Sequence, residues 1–169
     1  MGANITFEKV KLEVEASIKE FAREEKELLD IDVNERSISH KLAEYLQREF
    51  PDWDVDCEYN RKMGDKKTLN VSYDKVSDQD TEAKTVFPDI IVHHRKTEEN
   101  LLVIEMKKHG KKTEKDAAKL VAFTGKEYQY GFGLLLVIGR DKALLSWYRH
   151  GELFKDQYSI DFEAAENGE

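Results

Sequence analysis

Cysteine is nearly absent from this chain: Cys57 stands alone among 169 residues. One thiol forms no internal disulfide and leaves no Cys-rich zinc framework, so a reducing compartment such as the cytoplasm is expected. No apolar run is long enough to span a bilayer, and no membrane role is expected. Residues 1–10 lack the basic and apolar segments of a signal peptide. Residues 1–6 fit the loose myristoylation pattern, but without the polybasic patch or second lipid site that firm anchoring needs. A Ser-His-Asp signature is also missing. His93 and His94 are adjacent and so point to opposite sides of a strand, unlike the i, i+4 pair of a zinc-binding helix. Gly131-Phe132-Gly133 lacks the third glycine of a dinucleotide loop and precedes a strand instead of a helix.

What the chain has in abundance is charge. Charged residues make up 37% and hydrophobic residues 40%, a mixture that suits one globular domain with a real core. The formal charge of −8 argues against a protein that coats nucleic acid, because such affinity comes from neutralising phosphates with Lys and Arg. Between Glu105 and Lys119, however, six lysines face three acids. That is one basic patch on an acidic body.

Residues from about Thr6 to Leu29 carry Phe7, Val10, Val14, Ile18 and Phe21 at helical spacing, which predicts an amphipathic helix packed on the domain. Asp32 with Glu35 has the form of a capping box, and Ile38, Leu42, Tyr45, Leu46 and Phe50 continue as a helical stripe that stops before Pro51. The period then becomes two: Trp53, Val55, Cys57 and Tyr59 alternate with polar residues as in a strand with one wet face. Residues 62–85 are polar and carry little pattern. Phe87–His94 and Leu101–Lys107 read as a hairpin. A helix opening on a Thr113/Asp116 capping box follows, its apolar side supplied by Ala117, Leu120 and Val121. Leu134–Ile138 and Leu144–Tyr148 read as two further strands, and the acidic tail 161–169 is expected to fray. The expected organisation is a single domain: an N-terminal helix over 1–31, a core over 33–150, and an α/β fold with a central mixed β-sheet flanked by helices.

If the hairpin turns about Thr97, Asp89 faces Glu105 across the ladder. Side chains two apart share a face, so Glu105 and Lys107 point the same way, about 7 Å apart by strand rise. Opposed residues have Cβ atoms about 5 Å apart, which lets the two carboxylates hold one cation between them. A slip of one residue would separate the faces. Two carboxylates in a partly buried place repel one another, and a divalent ion removes that cost. Oxygen ligands, and few of them, suit Mg²⁺ or Mn²⁺. With Lys107 beside the ion, the expected chemistry is phosphodiester hydrolysis. The acid-x-lysine spacing itself carries little, since it recurs at Glu24, Asp65 and Glu82. Glu105 alone ends an apolar run, and a Pro-Asp within another apolar run lies sixteen residues before it.

The arrangement Phe87-Pro88-Asp89-Ile90-Ile91, then Val103-Ile104-Glu105-Met106-Lys107, resembles the PD-(D/E)XK nuclease superfamily, the restriction-endonuclease-like fold, over roughly residues 33–148. The resemblance implies a core in the order helix, three strands, helix, strand, with residues 62–85 as an insertion. It also implies Asp89 and Glu105 as metal ligands and Lys107 as the catalytic lysine. Members often place a further acid on the first core helix, a position Glu35 fits, although a capping role accounts for it equally well. Lys119 resembles a basic residue that some members direct into the cleft; the plain alternative is a pairing with Asp116 at i, i+3. Tyr59 and Arg61 leave the first strand on its apolar face and are candidates for touching a phosphate backbone.

The expected function is a Mg²⁺-dependent nuclease acting on DNA, in restriction, repair or defence. A homodimer or a protein partner is one way for so small a domain to hold both strands of a duplex. The competing expectation is a catalytically idle nuclease-like module that binds nucleic acid or a protein, in keeping with the acidic total charge. Fold alone does not choose between them.

Overall fold

The computed structural model describes residues 4–59, 61–62, 65–66, 68–69 and 84–163. Residues 1–3, most of the polar stretch between 60 and 83, and residues 164–169 lie outside that description. The first half of the loose lipidation pattern (residues 1–3) and most of the expected fraying tail are among them.

The N-terminal helix forms in two pieces, α1 (Phe7–Glu24) and the short α2 (Lys26–Asp30). Thr6 caps α1 by accepting from the Lys9 amide at 3.3 Å. Val10, Val14, Ile18 and Phe21 form its buried stripe. Helix α3 (Glu35–Glu49) is capped by Asn34, whose Oδ1 accepts from the Ser37 amide at 2.9 Å. This corrects the Asp32/Glu35 capping box: Asp32 lies outside the helix and its carboxylate pairs with Lys108 at 2.6 Å. Asn34 takes the cap because it lies directly before the first helical residue, which leaves Glu35 as that first residue and its carboxylate free for other partners.

Six strands form one mixed sheet: β1 (Asp54–Cys57), β2 (Ile90–His93), β3 (Asn100–Lys108), β4 (Phe132–Ile138), β5 (Lys142–Arg149) and β6 (Glu152–Asp161). They lie side by side in chain order, antiparallel throughout except β3 and β4, which are parallel. A parallel pair needs a crossover, and α4 (Glu114–Thr124) supplies it. Two-residue ladders join 61–62 to 65–66 and 68–69 to 84–85. β6 was not expected from the sequence. It is an exposed edge strand whose alternation is broken by two register shifts against β5, a common way of blunting an edge.

The sheet separates two apolar layers. On one face α1 and α3 pack against Ile90, Val92, Ile104, Met106, Leu134 and Leu136. On the other, α4 brings Leu120 and Phe123 against Ile91, Val103 and Leu135. Even-numbered positions of β2 and the C-terminal half of β3 therefore face α3, and odd-numbered ones face α4. Val121, expected on the apolar side of α4, is instead exposed. Asp116, Leu120 and Phe123 form the stripe that faces the sheet.

Candidate metal and phosphodiester site

The hairpin pairs Ile90 with Ile104, Ile91 with Val103 and Val92 with Leu102. This is the register that sets position 89 opposite position 105. A bulge follows between Val92 and His93, beyond the part that matters for the site. Because Asp89 is the last residue before β2, its side chain takes over a ladder role: Oδ2 accepts from the Met106 amide at 2.7 Å. Its carbonyl accepts from the Glu58 amide at 3.2 Å. The carboxylate is thus anchored to β3 and its backbone to the end of β1.

Glu105 continues the odd-numbered face of β3 into the space between the sheet and α4, where it is 1% exposed. Its Oε2 lies 3.4 Å from Lys119 Nζ, and its Oε1 is a buried oxygen with no hydrogen-bond partner. Burial, and then repulsion from Asp89, pushes its carboxyl well above the usual range; Lys119 offsets only part of this. Burial raises Asp89 as well, against the lowering effect of the Met106 amide. The two acids are close enough to perturb one another, and the orphaned oxygen is the kind of group a bound ion satisfies.

Lys107 projects from the same strand face. Its Nζ is 3.3 Å from Glu35 Oε2 and 3.8 Å from Asp116 Oδ2. Burial disfavours its ammonium, but Asp116 and Glu35 outweigh that effect and hold its pKa above the ordinary lysine value. Lys107 is therefore a firm positive charge at neutral pH. Glu35 also accepts from the Lys108 amide at 3.2 Å, reaching around the end of β3 from the first turn of α3. The structure thus brings Glu35 to the lysine side of the site, as a brace for Lys107 and β3.

Lys119 pairs with Asp116 at 3.7 Å, the plain alternative read from the sequence, and its ammonium also lies beside Glu105. Tyr59 follows β1, packs against the apolar cluster on the α4 side and lies edge-on to His93 with ring centroids 4.7 Å apart. The side chain of Arg61 lies outside the described residues. Asp116 was the omission. By spacing it reads as part of a helix cap, yet Thr113 makes no side-chain cap bond, and Asp116 is 3% exposed with its carboxylate between two lysines. A signal was available: Asp116 lies four residues before Leu120 and seven before Phe123, in phase with the buried stripe, where an acid without a partner is rarely kept.

Formally the cluster holds four carboxylates (Glu35, Asp89, Glu105, Asp116) and two ammoniums (Lys107, Lys119), leaving it two negative charges in excess. A single divalent cation balances that. Among the described residues no group of three or more His, Cys, Asp or Glu side chains is arranged to hold a metal ion. The residues that could hold an ion here are Asp89 and Glu105, and a pair of carboxylates is a donor set of the kind that suits Mg²⁺ or Mn²⁺, which keep several waters. An open groove of about 860 Å³ lies beside the site, lined among others by Ser39, Cys57, Glu58 and Lys108; of the cluster it touches Glu35 and Asp89, and Glu105 stays buried behind them. No helix among the described residues is long and apolar enough to cross a membrane. No family model, curated protein or solved structure matches the chain.

Proposed function

We propose that this protein is a metal-dependent nuclease of the PD-(D/E)XK, restriction-endonuclease-like type, hydrolysing phosphodiester bonds of DNA. The observation that carries the reading is the buried, unpartnered Glu105 carboxylate oxygen beside Asp89, on the same sheet face as the Lys107 ammonium. The core order α3, β1, β2, β3, α4, β4 supports it. In this reading Asp89 and Glu105 hold Mg²⁺ or Mn²⁺. When bound, such an ion supplies Lewis-acid stabilisation of phosphate charge and a source of hydroxide near neutral pH. Lys107 places a fixed positive charge beside the phosphoryl oxygens, where charge grows during in-line displacement. Glu35 holds that ammonium in direction, and the Asp89–Met106 bond keeps the first carboxylate from swinging away. The exposed Lys111 and Lys112, on the loop between β3 and α4, supply local phosphate contacts on an otherwise acidic surface. The biological setting that fits is restriction, repair or defence.

The test incubates purified protein with single-stranded, duplex and branched DNA in Mg²⁺, Mn²⁺ or chelator, beside Asp89→Ala and Lys107→Ala. Cleavage that needs the metal and falls on the order of 100-fold or more in each variant is expected. Cleavage that survives both substitutions points to another site. Failure on every substrate favours the binding module instead.

A further inference from the structure

The charges between the sheet and α4 form a chain in which each lysine bridges two acids. Lys119 lies between Glu105 at 3.4 Å and Asp116 at 3.7 Å. Lys107 lies between Asp116 at 3.8 Å and Glu35 at 3.3 Å. Asp116 is the middle link, and its side chain is 5% exposed. A first-turn acid suits the helix dipole at any exposure, but the α4 N-terminus makes no side-chain cap bond, so capping does not account for its burial. A charge at that depth is kept only where partners compensate it.

Lys119 meanwhile supplies the positive charge on Glu105. A dication beside Glu105 and an ammonium on its Oε2 repel one another, so the two do not share that carboxylate comfortably. Asp116 offers the ammonium another partner at a distance already near contact, and the four-carbon lysine stem is flexible enough for the small displacement required. We propose that Asp116 is a positioning residue of this site: it fixes the Lys107 ammonium and is the partner to which the Lys119 ammonium withdraws when a divalent cation binds Glu105. The proposal rests on the metal-dependent reading of Asp89 and Glu105. It assigns the lysine of α4 the role of a resident counter-ion that yields to the metal.

Mn²⁺ binding to the full chain, measured by titration calorimetry without DNA, separates the possibilities. Four proteins are needed: wild type, Asp116→Asn, Lys119→Gln and the double variant, with Asp89→Asn as the control for the site. Removing the Asp116 charge weakens cation binding somewhat in any background, so the informative quantity is the difference between backgrounds. With Lys119 present, Asp116→Asn is expected to weaken Mn²⁺ binding about tenfold, because the ammonium then has only Glu105 to hold. With Lys119→Gln the same change is expected to cost about threefold or less. Asp116→Glu, which keeps the charge, is expected to restore most of the affinity. Equal losses in both backgrounds, or no loss with Lys119 present, would overturn the proposal. Should Asp116→Asn fail to fold, Lys119→Gln alone decides: it must bind Mn²⁺ at least as tightly as wild type, and weaker binding overturns the counter-ion role. A wild type that binds no Mn²⁺ sensitive to Asp89→Asn overturns the metal reading itself, and this proposal with it.

Discussion

At the scale of single residues, Glu105 is the point where stability and chemistry conflict. Its carboxylate is buried, repelled by Asp89 and one oxygen short of a partner. An amide of the same shape carries no charge to desolvate. Glu105→Gln is therefore expected to stabilise the metal-free protein by about 1–3 kcal/mol, read as a higher Tm in the presence of chelator, while removing metal binding. A lower Tm would mean that the ionised group is already well compensated. Asp56 behaves in the opposite sense. Burial raises its pKa, but the paired Arg95 and His93 outweigh burial and hold it below 3.8. A depressed acid stabilises the fold above its unfolded pKa, and that contribution disappears as pH falls through the folded value. Asp56→Asn should thus cost about 1–3 kcal/mol at pH 7, with the difference from wild type vanishing at pH values below the folded pKa. A difference unchanged down to pH 2 in denaturant titrations would contradict the pairing.

At the scale of elements, the hairpin was legible and the helix ends were not. Two apolar runs around a polar turn define strand direction and register, because a one-residue slip would turn Ile90, Val92 and Ile104 away from the α1/α3 layer. The placement of positions 89, 105 and 107 on one face follows from that parity alone. Cap residues are less legible, since Asp32, Asn34 and Thr113 are all reasonable N-caps by type and only the chain path selects among them. Asp116 was hidden for the same reason: a first-turn acid has a sufficient local explanation, and its partners lie on a distant strand. β6 escaped because an exposed edge strand with register shifts has no clean period. One consequence can be measured. Asn34 fixes the first turn of α3 and hence where Glu35 meets Lys107 and the Lys108 amide. Asn34→Ala should cost about 1 kcal/mol in urea unfolding, and no change would mean that α3 is positioned by its apolar stripe alone.

At the scale of the whole molecule, the sheet is a partition. One face is committed to a broad apolar layer under α1 and α3. The other carries a smaller apolar cluster and, at the end where β2 begins and β3 finishes, the charged site under α4. Strands β2 and β3 are therefore backed by a packed layer while their ends present Asp89 and Lys108 toward a groove, the kind of support that keeps side chains in place. The net charge of −8 makes the cluster's excess negative charge more attractive to a cation. The proposed chemistry requires that Asp89 and Glu105 share a divalent ion. Crystals soaked in Mn²⁺ and measured at a wavelength where manganese scatters anomalously test this directly. An anomalous peak about 2.1 Å from oxygens of both carboxylates is expected; a peak elsewhere, or none at a concentration that occupies ordinary Mn²⁺ sites, would show that the two acids share no ion.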